Sequence, residues 1–136
     1  MPNRVGFPSL DEMYVDMETE GYVAPEFVEG GRASKESDVY SFGIVALEIA
    51  SGKRAIFNDG VKTGKLLVEW VWEQYGRGKV IAAADPRLNQ NVVVEDMVRL
   101  LVVGLACAHP DYRERPSIGE AIDMLKTKAE LPCVCH

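Results

Sequence analysis

The sequence predicts an all-α domain in which one central helix is covered by at least three others. Along residues 36–51 the apolar side chains occur all around a helical cylinder, which is the pattern of a helix buried on every side. Three further segments carry an apolar stripe at the helical period, and we assign no strand to the stretch 80–93. A chain of 136 residues can bury a core without disulfides or metal, so we expect a single domain.

The central helix carries sequence signals at both of its ends. Ser34 or Ser37 can act as the N-cap, and Gly52 is a stop signal. Lys53 and Arg54 follow, where positive charge is favourable beside the negative end of the helix dipole. We therefore predict a helix whose inward face is nearly its whole surface. Its apolar residues are Val39, Tyr40, Phe42, Ile44, Val45, Leu47 and Ile49.

The other three helices are predicted at 65–75, 95–108 and 116–128. Pro116 suits the first turn of the last helix, because the N–H group that proline lacks is not used there. The stretch 80–93 is rich in residues that favour turns, and it predicts a short apolar segment followed by turns. The side chains predicted to face inward on the last helix are Ile118, Ala121, Ile122 and Leu125.

The net charge of −6 is concentrated at the amino-terminal end. Residues 1–30 carry seven acidic side chains and only Arg4 as a base, whereas residues 31–136 carry 14 of each sign. No basic patch with interleaved aromatic residues is present, so we expect no nucleic-acid partner. No apolar run approaches the roughly 20 residues of a membrane span or has the form of a secretory signal. We therefore expect no membrane segment and a cytoplasmic location.

The three cysteines predict reduced thiols and not a disulfide framework. Cys107 falls on the third predicted helix, where we expect a core side chain. Cys133 and Cys135 lie beside His136 at the end of the chain. Three candidate ligands at a terminus are too few to predict a metal site, and we expect neither a metal ion nor reversible acylation there.

Five stretches of the chain carry a family resemblance when they are taken in order. They are GYVAPE, SDVYSFGIVALEIASGKRAI, LVEWVWEQYGRGKV, ADPRL and LLVVGLACAHPDYRERPSI. Together they resemble the carboxy-terminal lobe of a plant receptor-like serine/threonine protein kinase, and most of all the legume-lectin (L-type lectin) receptor kinases. The resemblance covers roughly residues 19–128. It implies a partial large lobe of a protein kinase, with a non-matching segment 1–18 before it and a tail 129–136 after it. Because residues 1–18 have no apolar period and carry two prolines, we expect them to be loop or disordered.

The resemblance implies roles for the turn before the central helix. Ala24, Pro25 and Glu26 match the Ala-Pro-Glu that closes the kinase activation segment. In the family this glutamate is buried against an arginine, and Arg115 stands at the matching place. Taken alone, Glu26 would be read as a favourable charge at a helix start, and Arg115 as a solvated side chain.

Further residues take roles from the same resemblance. Asp38 matches the acid at the start of the buried helix that holds the family's catalytic loop by hydrogen bonds, and Gly43 matches a structural glycine of that helix. Thr19, Gly21 and Tyr22 match the loop that receives the substrate residue next to the phosphorylated one. Without the resemblance, Asp38 would be read as a partner of the helix dipole.

The parts of a kinase that perform phosphoryl transfer do not occur in this sequence. It contains no His-Arg-Asp, no Asp-Phe-Gly and no glycine-rich loop with its lysine. The stretch DGVKTGKL at 59–66 has Asp59 and Leu66 where a phosphate-binding loop needs glycine and Ser or Thr, and the glycines at 76 and 78 lack a third. We therefore expect no catalytic residue, no ATP and no magnesium in this chain, although the whole family domain uses both.

Three functional hypotheses remain open at this point. The chain is a truncated kinase domain that is inactive alone, or a non-catalytic module that competes for the protein partners of full-length receptor kinases, or part of a longer active kinase. A full-length member of the family would place this part at the cytoplasmic side of the plasma membrane. The central helix would lack its catalytic-loop cover here, so we expect an exposed apolar strip and a chain that is marginally stable or self-associates.

Overall fold

Five helices form the part of the chain that the computed structural model describes, residues 20–58, 60, 64–88, 93–126 and 134. Two short strands lie between the second and third helices and pair antiparallel, with Ile56 opposite Leu66 and Phe57 opposite Lys65. The predicted all-α class is confirmed. The elements are α1 (Pro25–Gly30), α2 (Lys35–Ser51), β1 (Ile56–Phe57), β2 (Lys65–Leu66), α3 (Leu67–Gly76), α4 (Val94–Cys107) and α5 (Ile118–Lys126), with 3₁₀ turns at Glu20–Tyr22, Val80–Ala83, Pro86–Leu88 and Tyr112–Glu114.

Helix α2 has the ends that its sequence predicts. The backbone N–H of Ser37 donates to Ser34 Oγ at 3.0 Å, and the backbone N–H of Ser34 donates to Ser37 Oγ at 2.8 Å. This reciprocal cap satisfies two N–H groups that a helix start leaves unpaired. At the other end Gly52 adopts a left-handed conformation with φ of 74°, and its N–H donates to the carbonyl of Glu48 at 2.9 Å.

Helix α4 packs against α2 through two glycines. A Cβ atom on Gly43 would lie 2.7 Å from the carbonyl oxygen of Gly104 and 2.8 Å from Cys107 Cβ. A Cβ atom on Gly104 would lie 2.9 Å from Leu47 Cδ2. The two helices therefore approach so closely that any larger side chain at either glycine would force them apart. Around this contact lie the largest fully buried side chains, which are Ile44, Leu47, Leu67, Val71, Leu101, Val103, Leu105 and Cys107.

One side of α2 is not covered by any described part of the chain. Val45 is 43% exposed and Ile49, one turn further on, is 63% exposed. The prediction that this helix is buried on every side is therefore wrong for this face, and the expected exposed apolar strip is present. A helical pattern shows which side chains are apolar, but it does not show whether a neighbouring element exists to cover them.

The structure adds one short helix that the sequence did not predict and moves the start of another. Helix α1 was not predicted, because six residues are too few to show a helical period. The second predicted helix begins at Leu67 and not at Lys65, since Lys65 and Leu66 form β2. The predicted turns after Val80 are present as the 3₁₀ turns, as far as residue 88.

Helix α5 begins two residues later than predicted. Glu120 N–H donates to Ser117 Oγ at 3.1 Å, and Ser117 N–H donates to Glu120 Oε1 at 2.8 Å, so Ser117 caps the helix and Pro116 precedes the cap. Ala121 is buried as predicted, but Ile118 and Ile122 are 40% and 39% exposed. Leu125 packs with Ala121 against α2 and α4 as predicted, and Met124, which was not predicted to face inward, packs there in place of the two isoleucines.

We expect Gly43→Ala to lower the free energy of unfolding by about 1–3 kcal/mol, since its methyl group must displace the backbone of α4. Gly119→Ala is the matched control, because the nearest atom to its Cβ lies 3.9 Å away. There the better helix propensity of alanine should raise stability by up to about 1 kcal/mol. Urea unfolding, monitored by circular dichroism, measures the free energy of unfolding of both variants. Equal stability of the two variants would contradict the close contact between α2 and α4.

Candidate functional site

An ion pair joins the amino-terminal end of α1 to the loop before α5. Arg115 Nη1 donates to Glu26 Oε2 at 2.7 Å, and Nη2 donates to Glu26 Oε1 at 2.8 Å. The two residues are 89 positions apart in the sequence. This bidentate geometry is the strong form of a pair between a guanidinium and a carboxylate. The contact that the family resemblance predicts between Glu26 and Arg115 is present.

The guanidinium of Arg115 is completely surrounded by protein. Its side chain has no exposed surface, while that of Glu26 retains 26%. Arg115 Nε donates to the carbonyl of His109 at 2.7 Å, and Nη1 also donates to the carbonyl of Glu36 at 2.8 Å. The group lies 5.0 Å from the ring centre of Tyr40, within cation–π range. A buried cation requires such partners, and these partners tie α1, α2 and the loop before α5 to one point.

The pair changes the titration of Glu26. Partial burial by itself would raise the pKa of this carboxyl, but the hydrogen bonds from Arg115 and from backbone outweigh burial and hold the pKa below its ordinary value of 4.5. The carboxylate is therefore the form that the folded chain favours. The folded state consequently binds the Glu26 proton less readily than the unfolded state does.

The loop at Gly21 and Tyr22 lies against the turn after α2. A Cβ atom on Gly21 would lie 2.6 Å from Ala55 Cβ, so only glycine fits at that place. The Tyr22 hydroxyl donates to the carboxylate of Glu48, which also accepts the backbone N–H of Ala55 at 2.8 Å. Burial and this neighbouring carboxylate raise the pKa of Tyr22 to about 12. The tyrosine therefore stays protonated and able to donate.

A second contact from α2 holds the backbone of the same loop. Ser41 Oγ donates to the carbonyl of Tyr22 at 2.7 Å. The functions of Ser41 and Glu48 were missed in the sequence, although a signal was present. They are polar residues within the otherwise apolar run 39–50, and their spacing of seven residues, about two turns, places them on one face.

The remaining predicted site residues take separate places. Ala24 is buried, and its carbonyl accepts the N–H groups of Phe27 and Val28, so it begins α1 directly before Pro25. Asp38 lies exposed in the first turn of α2, and no hydrogen bond or ion pair joins its carboxylate to another described residue. Gly43 faces α4 as described above, and Thr19 lies outside the described residues.

Among the described residues, no arrangement fits ATP or magnesium. Within the described part of the chain, no group of three or more His, Cys, Asp or Glu side chains is arranged to hold a metal ion. In the stretch 59–66, Lys65 Nζ lies 3.5 Å from Glu73 Oε1, and Lys65 is itself part of strand β2, whereas a phosphate-binding lysine stands where a glycine-rich loop enters a helix. The glycines at 76 and 78 lie at the carboxyl end of α3, whose dipole disfavours an anion.

Two further findings concern the cysteines and the membrane. Cys107 is buried in the core as predicted, and burial raises the pKa of its thiol to about 12. Cys133 and Cys135 lie outside the described residues, while Val134 between them is buried and donates its N–H to Tyr75 Oη at 3.2 Å. Among the described helices, none has the length and apolar character needed to span a bilayer.

Comparison with known proteins identifies the class to which this arrangement belongs. The family model described as "Protein tyrosine and serine/threonine kinase" matches residues 14–125. The chain therefore belongs to the protein kinase family. The solved structure of the pseudokinase domain of BIR2, described as an immune regulator of the RLK/Pelle family, is similar with a TM-score of 0.67 and 32% identity. That similarity covers 78% of this chain and 32% of the BIR2 chain.

The curated relatives identify the group within the protein kinase family to which the chain is similar. The chain is 48% identical over 122 residues to the L-type lectin-domain containing receptor kinase VIII.1 of Arabidopsis thaliana, covering 85% of this chain. It is 46% identical over 113 residues to the L-type lectin-domain containing receptor kinase S.7 of Oryza sativa subsp. japonica, covering 83% of this chain. These matches span only 17% and 16% of the relatives' own lengths. The chain is a kinase-domain fragment of the lectin receptor-like kinase group, as its motifs predicted.

We expect Arg115→Leu to lower the free energy of unfolding by about 3–5 kcal/mol, because Glu26 and the backbone carbonyls of His109, Glu36 and Pro110 lose their partner. Arg113→Leu is the matched control, since Arg113 pairs with Asp111 at 3.0 Å through side chains that are open to solvent. Water screens that exposed pair, so its loss should change stability little. Urea unfolding at neutral pH measures both variants. A similar loss of stability in the two variants would contradict the expectation that burial makes the Arg115 pair contribute more than the exposed Arg113 pair.

The contribution of Glu26 should depend on pH. Its folded pKa lies below 4.5, so its stabilisation is complete above the unfolded pKa and is lost as the pH falls through the folded value. The stability difference between the wild type and Glu26→Gln should therefore shrink as acid is added below about pH 4.5. Urea unfolding from about pH 7 to about pH 3 measures this, with Glu29→Gln as the matched loss of one exposed charge on the same helix. A difference that is constant over this range would contradict the assignment.

Proposed function

We propose that this chain is the substrate-side part of the kinase domain of an L-type lectin receptor-like serine/threonine kinase, working within ATP-dependent phosphorylation of proteins. The observation that carries the proposal is the bidentate pair between Glu26 and the buried Arg115, which anchors the Ala-Pro-Glu turn. The match to the kinase family along residues 14–125 supports it. In a full-length receptor this part would lie on the cytoplasmic side of the plasma membrane.

The chain's own contribution to phosphorylation is to hold the loop that receives a protein substrate. Ser41 and Glu48 clamp Tyr22 from α2, and the turn at Ala55 leaves space for glycine alone at position 21. A loop held at so many points loses little conformational entropy when a peptide binds beside it. Gly21 and Tyr22 would thereby present a preorganised surface to the residue next to the phosphorylated one. Thr19 would belong to the same loop.

Phosphoryl transfer itself requires groups that residues 1–136 do not supply. A kinase needs an aspartate that accepts the hydroxyl proton, a lysine on the phosphates, and an Asp and an Asn that hold magnesium. None of their motifs occurs in the sequence. We therefore propose that the chain alone transfers no phosphate, and that ATP and magnesium are bound by other parts of a complete domain. Asp38, which makes no hydrogen bond or ion pair with another described residue, would hold the catalytic loop of such a domain.

The experiment is a phosphate-transfer assay with the purified chain, radiolabelled ATP and casein, together with calorimetric titration of ATP. We expect no saturable ATP binding and no transfer above a buffer blank. Saturable activity that is lost in Asp38→Asn would overturn the proposal. Sequencing upstream of Met1 decides between a fragment and the later part of a longer active kinase, because an in-frame His-Arg-Asp and Asp-Phe-Gly would establish the latter.

A second candidate function is a non-catalytic interaction module that competes for partners of full-length receptor kinases. It is favoured by the exposed strip of Val45 and Ile49 on α2, a type of surface that binds proteins or self-associates. BIR2, whose solved domain is described as a pseudokinase domain, is similar in fold. Affinity capture from plant extract should recover receptor kinase complexes with the wild type and lose them with Ile49→Ser. Capture that Ile49→Ser leaves unchanged would argue against this candidate, and light scattering of both chains measures self-association.

A further inference from the structure

The turn that follows α2 places Arg54 beside the proposed substrate loop, which contains Gly21 and Tyr22. Arg54 directly precedes Ala55, and a Cβ atom on Gly21 would lie 2.6 Å from Ala55 Cβ and 3.1 Å from the Ala55 carbonyl oxygen. The backbone N–H of Ala55 donates to Glu48 at 2.8 Å, and the same carboxylate accepts the Tyr22 hydroxyl. The turn and the loop are therefore in direct contact, with Arg54 next to the point where they meet.

The side chain of Arg54 is exposed and has donors to offer. Across the described part of the chain, no hydrogen bond or ion pair joins it to another residue. Its charge nevertheless acts on the loop. Burial, the hydrogen bond to Glu48 and the charge of that carboxylate raise the pKa of Tyr22, whereas the positive charge of Arg54 acts to lower it. The guanidinium thus lies within electrostatic range of the loop, with its N–H groups open to a ligand.

The neighbouring lysine of the same turn is held on a different surface. Lys53 Nζ lies 4.9 Å from the centre of the Phe57 ring and 5.2 Å from the centre of the Trp70 ring, within cation–π range. The two rings meet edge to face, with their centres 5.7 Å apart. This aromatic pair therefore holds the ammonium group, while the guanidinium of Arg54 has no such partner.

A second arginine at the same end of α2 is already neutralised. Arg87 Nε donates to Asp85 Oδ1 at 3.0 Å, and Arg87 Nη2 donates to Asp85 Oδ2 at 2.8 Å. This bidentate pair lies beside Gly52, the residue that ends α2. A guanidinium bound in this way has little charge left to attract another anion. The positive charge that remains available beside the loop is therefore that of Arg54.

We propose that Arg54 selects protein substrates that carry aspartate or glutamate directly beside the serine or threonine to be phosphorylated. This inference rests on the proposed function, because it takes the loop of Gly21 and Tyr22 as the place where the substrate lies. A guanidinium presents a planar fork of donors that matches a carboxylate. An acidic side chain received by the loop would meet this fork. Because the pair would be exposed, it tunes the choice of substrate more than the total affinity.

The net charge of the chain opposes this preference and cannot be its cause. The chain carries a net charge of −6, so its long-range field repels an acidic peptide. Tighter binding of an acidic peptide than of a neutral one must therefore arise from a local cation. Because salt screens exposed pairs, the difference should also shrink as the ionic strength rises.

The test is fluorescence anisotropy at low salt with three fluorescein-labelled heptapeptides that share a central serine. Both neighbours of the serine are glutamate in the first peptide, glutamine in the second and lysine in the third. We expect the wild-type chain to bind the glutamate peptide about threefold more tightly than the glutamine peptide, the effect of one exposed ion pair. Arg54→Ala should lose this preference, and Arg54→Glu should bind the lysine peptide more tightly than the glutamate peptide.

Arg77→Ala is the matched control, because Arg77 is an exposed arginine that follows α3 as Arg54 follows α2. It lies away from the loop. Leu67, at the start of α3, donates its N–H to the Ala55 carbonyl at 2.8 Å, and Arg77 follows the other end of that helix, roughly 15 Å away. This variant should keep the wild-type preference. Circular dichroism checks that every variant is folded.

Ser41→Ala separates the failure of this inference from the failure of the proposed function. It removes the hydrogen bond to the Tyr22 carbonyl, so it should weaken all three peptides alike if the loop receives them. Equal binding of the glutamate and glutamine peptides by the wild type, or a preference that Arg54→Ala retains, would overturn the inference. Weakening by Ser41→Ala would then still support the proposed function. If Ser41→Ala leaves every peptide unchanged, or if no peptide binds saturably, the loop is not the peptide site and both are overturned.

Discussion

The burial of the Arg115 guanidinium is the constraint on which the rest of the structure depends. A buried cation is tolerated only when carboxylate and carbonyl partners surround it, and those partners come from α1, from the first turn of α2 and from the loop after α4. The three segments can therefore reach their places only together. Once Glu26 is fixed, the Ala-Pro-Glu turn and the loop that precedes it must run beside α2, which is where the proposed substrate surface forms.

Helix α2 makes two kinds of contact and leaves part of its surface open. Gly43 lets α4 approach closely, and this contact builds the core. Ser41 and Glu48 hold the loop of Tyr22, while Val45 and Ile49 beside them are exposed to solvent. The membership in the kinase family explains why such a helix lies at the centre of the chain.

Local signals account for most of the fold that could be predicted. The ends of α2 were predictable because a serine cap and a terminal glycine act on backbone groups within a few residues. The orientation of α5 was not, and Ile118 and Ile122 face solvent although the pattern placed them inward. The apolar residues of a helix cover a broad stripe of its surface, and the sequence does not show which part of that stripe contacts the core. The neighbouring helices decide which of these side chains are buried.

The sequence by itself determined the all-α class, the membership in the kinase family and the lack of phosphoryl-transfer motifs in these residues, because each depends on residue types in a fixed order. It also predicted which glutamate and arginine should pair, but only through the family resemblance. Tertiary structure decided the hydrogen bonds of Ser41 and Glu48 to Tyr22 and the close approach of α2 and α4 at Gly43 and Gly104. These features join segments that are far apart along the chain, and the local periodicity of the sequence does not predict which distant segments are in contact.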